Sequence, residues 1–167
     1  MRRIKELIAE SGPDCPTKTL RMKVMRPVYT REVIREDIPE YIATKSYCSP
    51  QQVFEMFHDL MWETKEQFLS LHLDGKNRII CLDRVAIGSL NQSIVHVREV
   101  MKSALISSAA AIILIHNHPT GDPTPSTEDL TVTRRLKEAG ELIGIPVLDH
   151  IIIGKGQYLS FVEKGLL

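Results

Sequence analysis

Residues 109–130 read AAAIILIHNHPTGDPTPSTEDL, and the order of apolar, turn-forming and polar residues there decides how the rest of the chain must fold. The run from Ala109 to Ile115 is short, rich in β-branched residues and bounded by a Pro/Gly loop, the pattern of a buried strand covered on both faces. It delivers His116 and His118 at its end. Side chains two apart on an extended segment point the same way, so both imidazoles can reach one small ion. Pro119, Gly121, Pro123 and Pro125 then fold the chain back instead of prolonging the strand, which returns Ser126 and Asp129 toward the histidines. Two neutral imidazole nitrogens and one carboxylate form a three-ligand set suited to a catalytic Zn²⁺ with its fourth position open to water, whereas a structural zinc usually takes four protein ligands.

A plainer reading stands beside this one. Ser126-Thr127-Glu128-Asp129 also looks like a capping box that opens the helical pattern after it. Capping accounts for Ser126 and Asp129 but leaves two histidines at a strand end unexplained. An aspartate at the third helical position can serve the metal while the serine serves the cap.

Downstream, Val132, Leu136, Ala139 and Ile143 recur at helical spacing, and Gly144 ends that helix before Pro146. Val147 to Ile153 reads as a core strand. Asp149-His150 interrupts it, either orienting a metal ligand from behind or forming an internal hydrogen-bonded pair. Tyr158 to Val162 adds a short last strand. Upstream, Ser49-Pro50-Gln51-Gln52 is a helix start with serine as cap, proline at the first position and Gln52 placed to close a capping box. Val53, Phe54, Phe57, Leu60 and Met61 continue it to about Thr64, with Met56 and Trp62 read as packing residues. Glu66 to Asp74 changes to period two, and Asp74-Gly75-Lys76-Asn77 turns it into a partner strand, Arg78 to Ala86. His72 lies on the same strand face as Glu66, Phe68 and Ser70, and reads as a core or surface histidine before it reads as a neighbour of the metal. A helical pattern runs from Arg98 to Ser108. Leu20, Met22 and Val24 alternate as in an edge strand ending near Val28.

Composition bounds the rest. A chain of 167 residues with 43% hydrophobic content fits one core, divided here into an arm, residues 1–44, packed on a main domain, residues 45–167. Lysine plus arginine and aspartate plus glutamate both number 21, so net charge gives no push toward nucleic acid or an anionic membrane. DNA remains a partner the charge does not support. Cys15, Cys48 and Cys81 are far apart and odd in number, which argues against a disulfide framework and for a reducing cytoplasm. No apolar stretch approaches the roughly 20 residues of a membrane span.

With these residues in view, His116-Asn-His118, seven residues, Ser126, two residues and Asp129 resemble the H-x-H-x7-S-x2-D pattern of JAMM (MPN+) metalloproteases. The surrounding ILIHNHPTGDPTPSTEDL, the LDHIIIG downstream and the SFVEKGLL ending are similar to the RadC branch of that family. The resemblance runs from about Leu20 to the C-terminus. It implies that His116, His118 and Asp129 are zinc ligands, that Ser126 stabilises the developing oxyanion, and that a glutamate on an earlier strand is the base. Glu66 precedes His116 by fifty positions (116 − 66 = 50) and matches the family's order of helix, glutamate-bearing strand and His-x-His. Glu63 and Glu99 are the rivals. Glu66 is preferred because a base must reach the attacking water.

The expected class is therefore α/β, a mixed sheet flanked by helices, which the resemblance narrows to the cytidine-deaminase-like layers of JAMM/MPN domains. The H-x-E and P-C-x-x-C ligands of deaminases are absent. The implied activity is zinc-dependent hydrolysis of a peptide or isopeptide bond. The alternatives are a DNA-repair-associated module whose zinc only binds or builds, and a metal-dependent nuclease. Full-length RadC proteins carry a helix-hairpin-helix module before this domain, and residues 1–44 show no such pair of helices, so DNA repair is not inherited by name.

Overall fold

A computed structural model describes residues 19, 22, 28–33, 46–88 and 95–167. Apart from Met22 and Val28, the expected edge strand over Leu20 to Val28, like nearly all of the arm, lies outside the described residues.

Five strands form one mixed sheet in the order β2-β1-β3-β4-β5. β1 (Glu66–Leu73) and β2 (Ile79–Gly88) make the hairpin, and β1 also pairs antiparallel with β3 (Ala111–Asn117). β3 runs parallel to β4 (Val147–Ile153), which pairs antiparallel with β5 (Tyr158–Ser160). The crossover between the parallel strands is α3 (Thr127–Ile143). α1 (Pro50–Phe57) packs on one face of the sheet, α2 (Val97–Ile106) and α3 on the other.

Two apolar layers hold this arrangement. Val53 and Phe57 of α1 meet Leu69, Leu71, Ile113, Ile115, Ile151 and Ile153. Val100, Met101, Ala104 and Leu136 meet Phe68, Ile112, Leu114 and Val147 on the opposite face. Successive residues of β3 feed alternate layers, so the strand is buried throughout. β1 is buried on both faces from Gln67 onward, which its period-two polarity does not predict. The reason is that α1 covers one of its faces and α2 the other. β2 is the exposed edge and keeps Ile80 and Ile87 in solvent.

Ser49 caps α1 by accepting the Gln52 N–H at 3.2 Å, and Pro50 occupies the first turn. Gln52 does not close a capping box, because its Oε1 accepts from Cys48 N at 2.8 Å instead. The α-helix stops at Phe57 and continues as a 3₁₀ turn, His58–Trp62. Met56 packs against the core. Trp62 does not; it is 64% exposed, because the tighter 3₁₀ winding carries it off the α-helical stripe. At the hairpin, Asp74 Oδ1 accepts from the backbone of Lys76 and Arg78 and Asn77 takes a positive φ of 56°. Gly144 ends α3 in the left-handed region at φ 75°.

Candidate metal centre

The site lies at the end of the sheet where β3 and β4 finish, β1 begins and α3 starts. His116, still within β3, is fully buried. His118 follows the strand and is anchored by its N–H to the Ile153 carbonyl at 2.9 Å. The two Nε2 atoms stand 3.0 Å apart. Asp129, in the first turn of α3, brings Oδ1 to 3.2 Å from His116 Nε2 and Oδ2 to 3.4 Å from His118 Nε2.

Counting protons through the surrounding hydrogen bonds decides what these atoms can hold. The Thr133 hydroxyl donates to the Asp129 carbonyl at 2.6 Å, so its oxygen receives the Nδ1–H of His150 at 2.6 Å. His150 Nε2 is then an acceptor and takes the Nδ1–H of His116 at 2.8 Å. His116 Nε2 is left with a lone pair. The Nδ1–H of His118 goes to the Asp122 carbonyl at 2.7 Å, which leaves a lone pair on its Nε2 as well. Two lone pairs and a carboxylate thus face one another with no proton of their own between them. A cluster this buried, with His118 only partly open to solvent, is stabilised by positive charge at its centre, a cation or a proton on His118. The donor set, two imidazoles and one carboxylate within 4.8 Å, fits a zinc-like ion.

The titration of neighbouring groups follows from the same geometry. Burial works against a proton on His118, but the hydrogen bond to Asp129, the Asp122 carbonyl and the charges of Asp129 and Glu66 outweigh it and raise its pKa. Burial pushes the Asp129 carboxyl up, yet hydrogen bonds to His116 and His118 hold it well below the usual carboxylate range. His150 is driven well below the ordinary histidine value, first by burial and then by its neighbour His116. It therefore stays neutral and passes a hydrogen bond in one direction.

Ser126 is the N-cap of α3 and forms a complete capping box with Asp129. Asp129 Oδ2 accepts from Ser126 N at 2.7 Å and from Ser126 Oγ at 2.6 Å, while Asp129 N donates to Ser126 Oγ at 3.1 Å. Cap and metal readings do not compete: the box clamps Oδ2 and so orients the carboxylate that faces the histidines.

Glu66 opens β1, half-buried, two residues from Phe68, whose ring stacks on His116 with centroids 5.9 Å apart. Alternation puts both on the site's face, and His118 feels the Glu66 charge. Glu99 lies elsewhere, on the first turn of α2, paired with Lys102 and Arg98. It lines a separate open cleft of about 970 Å³ together with His72, Cys81 and residues 28–32. Glu63 caps the 3₁₀ turn and is exposed. His72 pairs with Ile112 in the middle of the sheet and has Nδ1 2.8 Å from Ser107 Oγ and 3.3 Å from Cys81 Sγ; it is a core histidine.

Asp149 and His150 do form an internal pair, Asp149 Oδ1 accepting the His150 N–H at 2.7 Å, while their side chains serve different ends. His150 backs His116, while Asp149 accepts from Ser160 Oγ at 2.6 Å and Val162 N at 3.1 Å and so ties down the end of the chain. Sequence reasoning missed Thr133 and Asn117. Thr133 carries a usable signal, being a hydroxyl one helical turn beyond Asp129; Asn117 is a polar residue closing an apolar strand. The loop from Pro119 to Pro125 is pressed onto the β4–β5 turn, with Lys155 N donating to the Gly121 carbonyl at 2.9 Å. Gly121 takes φ +86°, and a Cβ on Gly154 would stand 2.5 Å from the Gly121 carbonyl oxygen. Among the described residues, no helix is long and apolar enough to cross a membrane.

Comparison with known proteins bears on the same residues. Residues 47–166 match the family model described as RadC-like JAB domain. A UPF0758 protein of Pelobacter propionicus is 66% identical over 122 residues, 72% of this chain and 53% of that protein. A UPF0758 protein of Geobacter sulfurreducens is 58% identical over 127 residues, 75% of this chain and 56% of that protein. One from Methanosarcina acetivorans is 52% identical over 124 residues, covering 74% and 54%. The chain spans about half the length of these curated relatives.

Proposed function

The chain belongs to the RadC-like JAB domain family, and on that premise we propose that it is a zinc-dependent hydrolase cleaving an amide or isopeptide bond in a peptide or protein. The observation that carries this reading is the convergence of two imidazole Nε2 atoms and the Asp129 carboxylate, with the Nδ1 protons of both rings directed away from the centre. His116, His118 and Asp129 hold the ion. Zn²⁺ bound there would polarise a carbonyl and lower the pKa of water toward neutrality. Glu66 accepts the proton released by the attacking water and hands it to the leaving amine. Ser126, whose Oγ donates to Asp129 Oδ2, turns that hydrogen toward the oxyanion as it develops. His150 and Thr133 keep His116 in the tautomer that presents Nε2.

A structural zinc would ask for a fourth protein ligand. Among the described residues the cluster supplies three, which favours an open coordination position and hence catalysis. The balanced charge favours a protein substrate over nucleic acid, and the free thiols Cys48 and Cys81 suit a reducing cytoplasm.

Metal analysis tests the centre directly. Purified protein should hold about one zinc per chain, and His116→Ala and Asp129→Ala should each lose it with the circular dichroism of a folded protein. Wild-type stoichiometry in either variant would remove the assigned site.

A further inference from the structure

We propose that Asn117, the residue between the two histidines, is the positioning residue for Glu66. The inference rests on the reading of Glu66 as the base. The antiparallel ladder of β1 and β3 ends at the pair Phe68↔His116. Continued for two more residues, that register would set Gln67 opposite Asn117 and Glu66 opposite His118. The ladder does not continue. The Gln67 N–H donates to Asn117 Oδ1 at 2.8 Å, and Asn117 Nδ2 donates to the Lys65 carbonyl at 3.2 Å. The His118 N–H turns the other way, to the Ile153 carbonyl of β4.

One carboxamide therefore takes the place of the ladder where the strands separate, and it grips the peptide groups on both sides of Glu66. Asn117 is itself fully buried and alternates with His116 and His118, so its side chain belongs to the opposite face and does not compete for the ion. Strand separation gives the room that an attacking water needs between a base and the ligand histidines. The two hydrogen bonds prevent that same separation from letting Glu66 swing away. Only a side chain with a donor and an acceptor on one planar group fits both partners: aspartate would set an acceptor against the Lys65 carbonyl, and leucine would satisfy neither. A buried amide and carbonyl left without partners would cost enough to let the start of β1 shift.

Two readouts test this. The first is hydrogen exchange at the Gln67 amide, which should quicken by at least on the order of 10-fold in Asn117→Leu and less in Asn117→Asp, which keeps the acceptor. The second is the visible spectrum of the cobalt-loaded protein, read as a double-mutant cycle. Glu66→Gln should alter the cobalt spectrum and its pH dependence when Asn117 is present, and should leave both unchanged in Asn117→Leu. Cobalt affinity in Asn117→Leu should stay within about 3-fold of wild type, against losses of 10-fold or more for residues that touch the ligands. A Glu66→Gln effect of full size in Asn117→Leu overturns the inference, as does a silent Glu66→Gln in wild type. If wild type takes up no cobalt, the metal reading fails separately, and unchanged Gln67 exchange still overturns the clamp. Should Asn117→Leu not fold, Asn117→Asp carries the same cycle, with partial loss of the Glu66→Gln effect expected and full retention overturning the inference.

Discussion

His116 Nδ1 and His150 Nε2 lie 2.8 Å apart inside the core, and the proton between them is assigned by Thr133, which commits its own hydrogen to the Asp129 carbonyl. The chain of donors runs one way, from His116 through His150 and Thr133 to the Asp129 carbonyl, and leaves a lone pair on His116 Nε2 aimed at Asp129 and His118. A residue outside the four motif positions thus sets the tautomer that one of those positions presents to the cluster.

His150→Phe keeps the ring's bulk against Phe68 and Phe161 but removes the acceptor for His116. Zinc affinity in a chelator competition should fall about 10- to 100-fold. His150→Gln, which returns an acceptor close to the Nε2 position, should recover part of the loss. Equal affinity in wild type and His150→Phe would show that His116 needs no partner behind it.

Much of this was legible beforehand, and the reasons differ from element to element. The run before His116 announces β3 because apolar β-branched residues bounded by a loop have few other uses, and Ser126 to Asp129 announces α3 because capping chemistry is local. Mixed-sheet layering follows from alternating helices and strands. The burial of β1 was not legible: its alternation resembles a half-exposed strand, and only the helices that cover both faces of the sheet explain the outcome. Trp62 was misread because nothing in the sequence marks the change from α to 3₁₀ winding after Phe57. The His150 relay needed β4 to lie beside β3, a long-range fact that no local pattern carries.

Gly154→Ala should disturb the site from outside it. The added methyl would stand 2.5 Å from the Gly121 carbonyl oxygen and 2.8 Å from Pro123 Cδ, and a backbone oxygen cannot turn aside as a side-chain tip can. The loop that must yield carries the Asp122 carbonyl on which His118 Nδ1 depends. Stability should drop by about 1–3 kcal/mol and zinc affinity by on the order of 10-fold. Gly156→Ala is the control, since its φ of +70° is strained for alanine but its Cβ meets nothing within 4 Å. It should lose about 1 kcal/mol with zinc binding intact. Thermal melts and chelator competition on both variants decide whether loop packing reaches the metal.

His72 should make the fold acid-sensitive. Burial lowers its pKa, against a smaller raising effect of Asp83, and its buried Nε2 has no hydrogen-bond partner. A histidine whose folded pKa lies below its unfolded value of about 6.5 contributes stability that is complete above that pH and is lost as pH falls toward the folded value. His72→Leu removes the titration and leaves Ser107 its bond to the Ala104 carbonyl. Melting temperatures of wild type and variant, followed from pH 7.5 to pH 5, should therefore diverge in the variant's favour as the medium becomes more acid. His150 and His118 titrate in both proteins and cancel in the difference. Parallel curves would mean that His72 keeps an ordinary pKa.

Whether this centre catalyses or only binds is decided at Glu66, because a general base is required for hydrolysis and dispensable for holding zinc. Glu66→Gln changes charge at a half-buried strand start with little change in volume, so fold and zinc content should persist. Turnover of any peptide or isopeptide substrate that the wild type cleaves should fall at least on the order of 10²-fold. Glu99→Gln serves as the comparison, since that carboxylate is occupied by Lys102 and Arg98 and faces the α2 cleft; its turnover should match wild type. The assay uses zinc-loaded protein, a panel of peptide and isopeptide substrates, and a chelator-treated blank to exclude contaminating proteases. Loss of activity in Glu99→Gln with Glu66→Gln unaffected would move the base to the α2 cleft. Equal turnover in all three proteins would defeat hydrolysis by a carboxylate base at this site and leave zinc binding as the function to be explained.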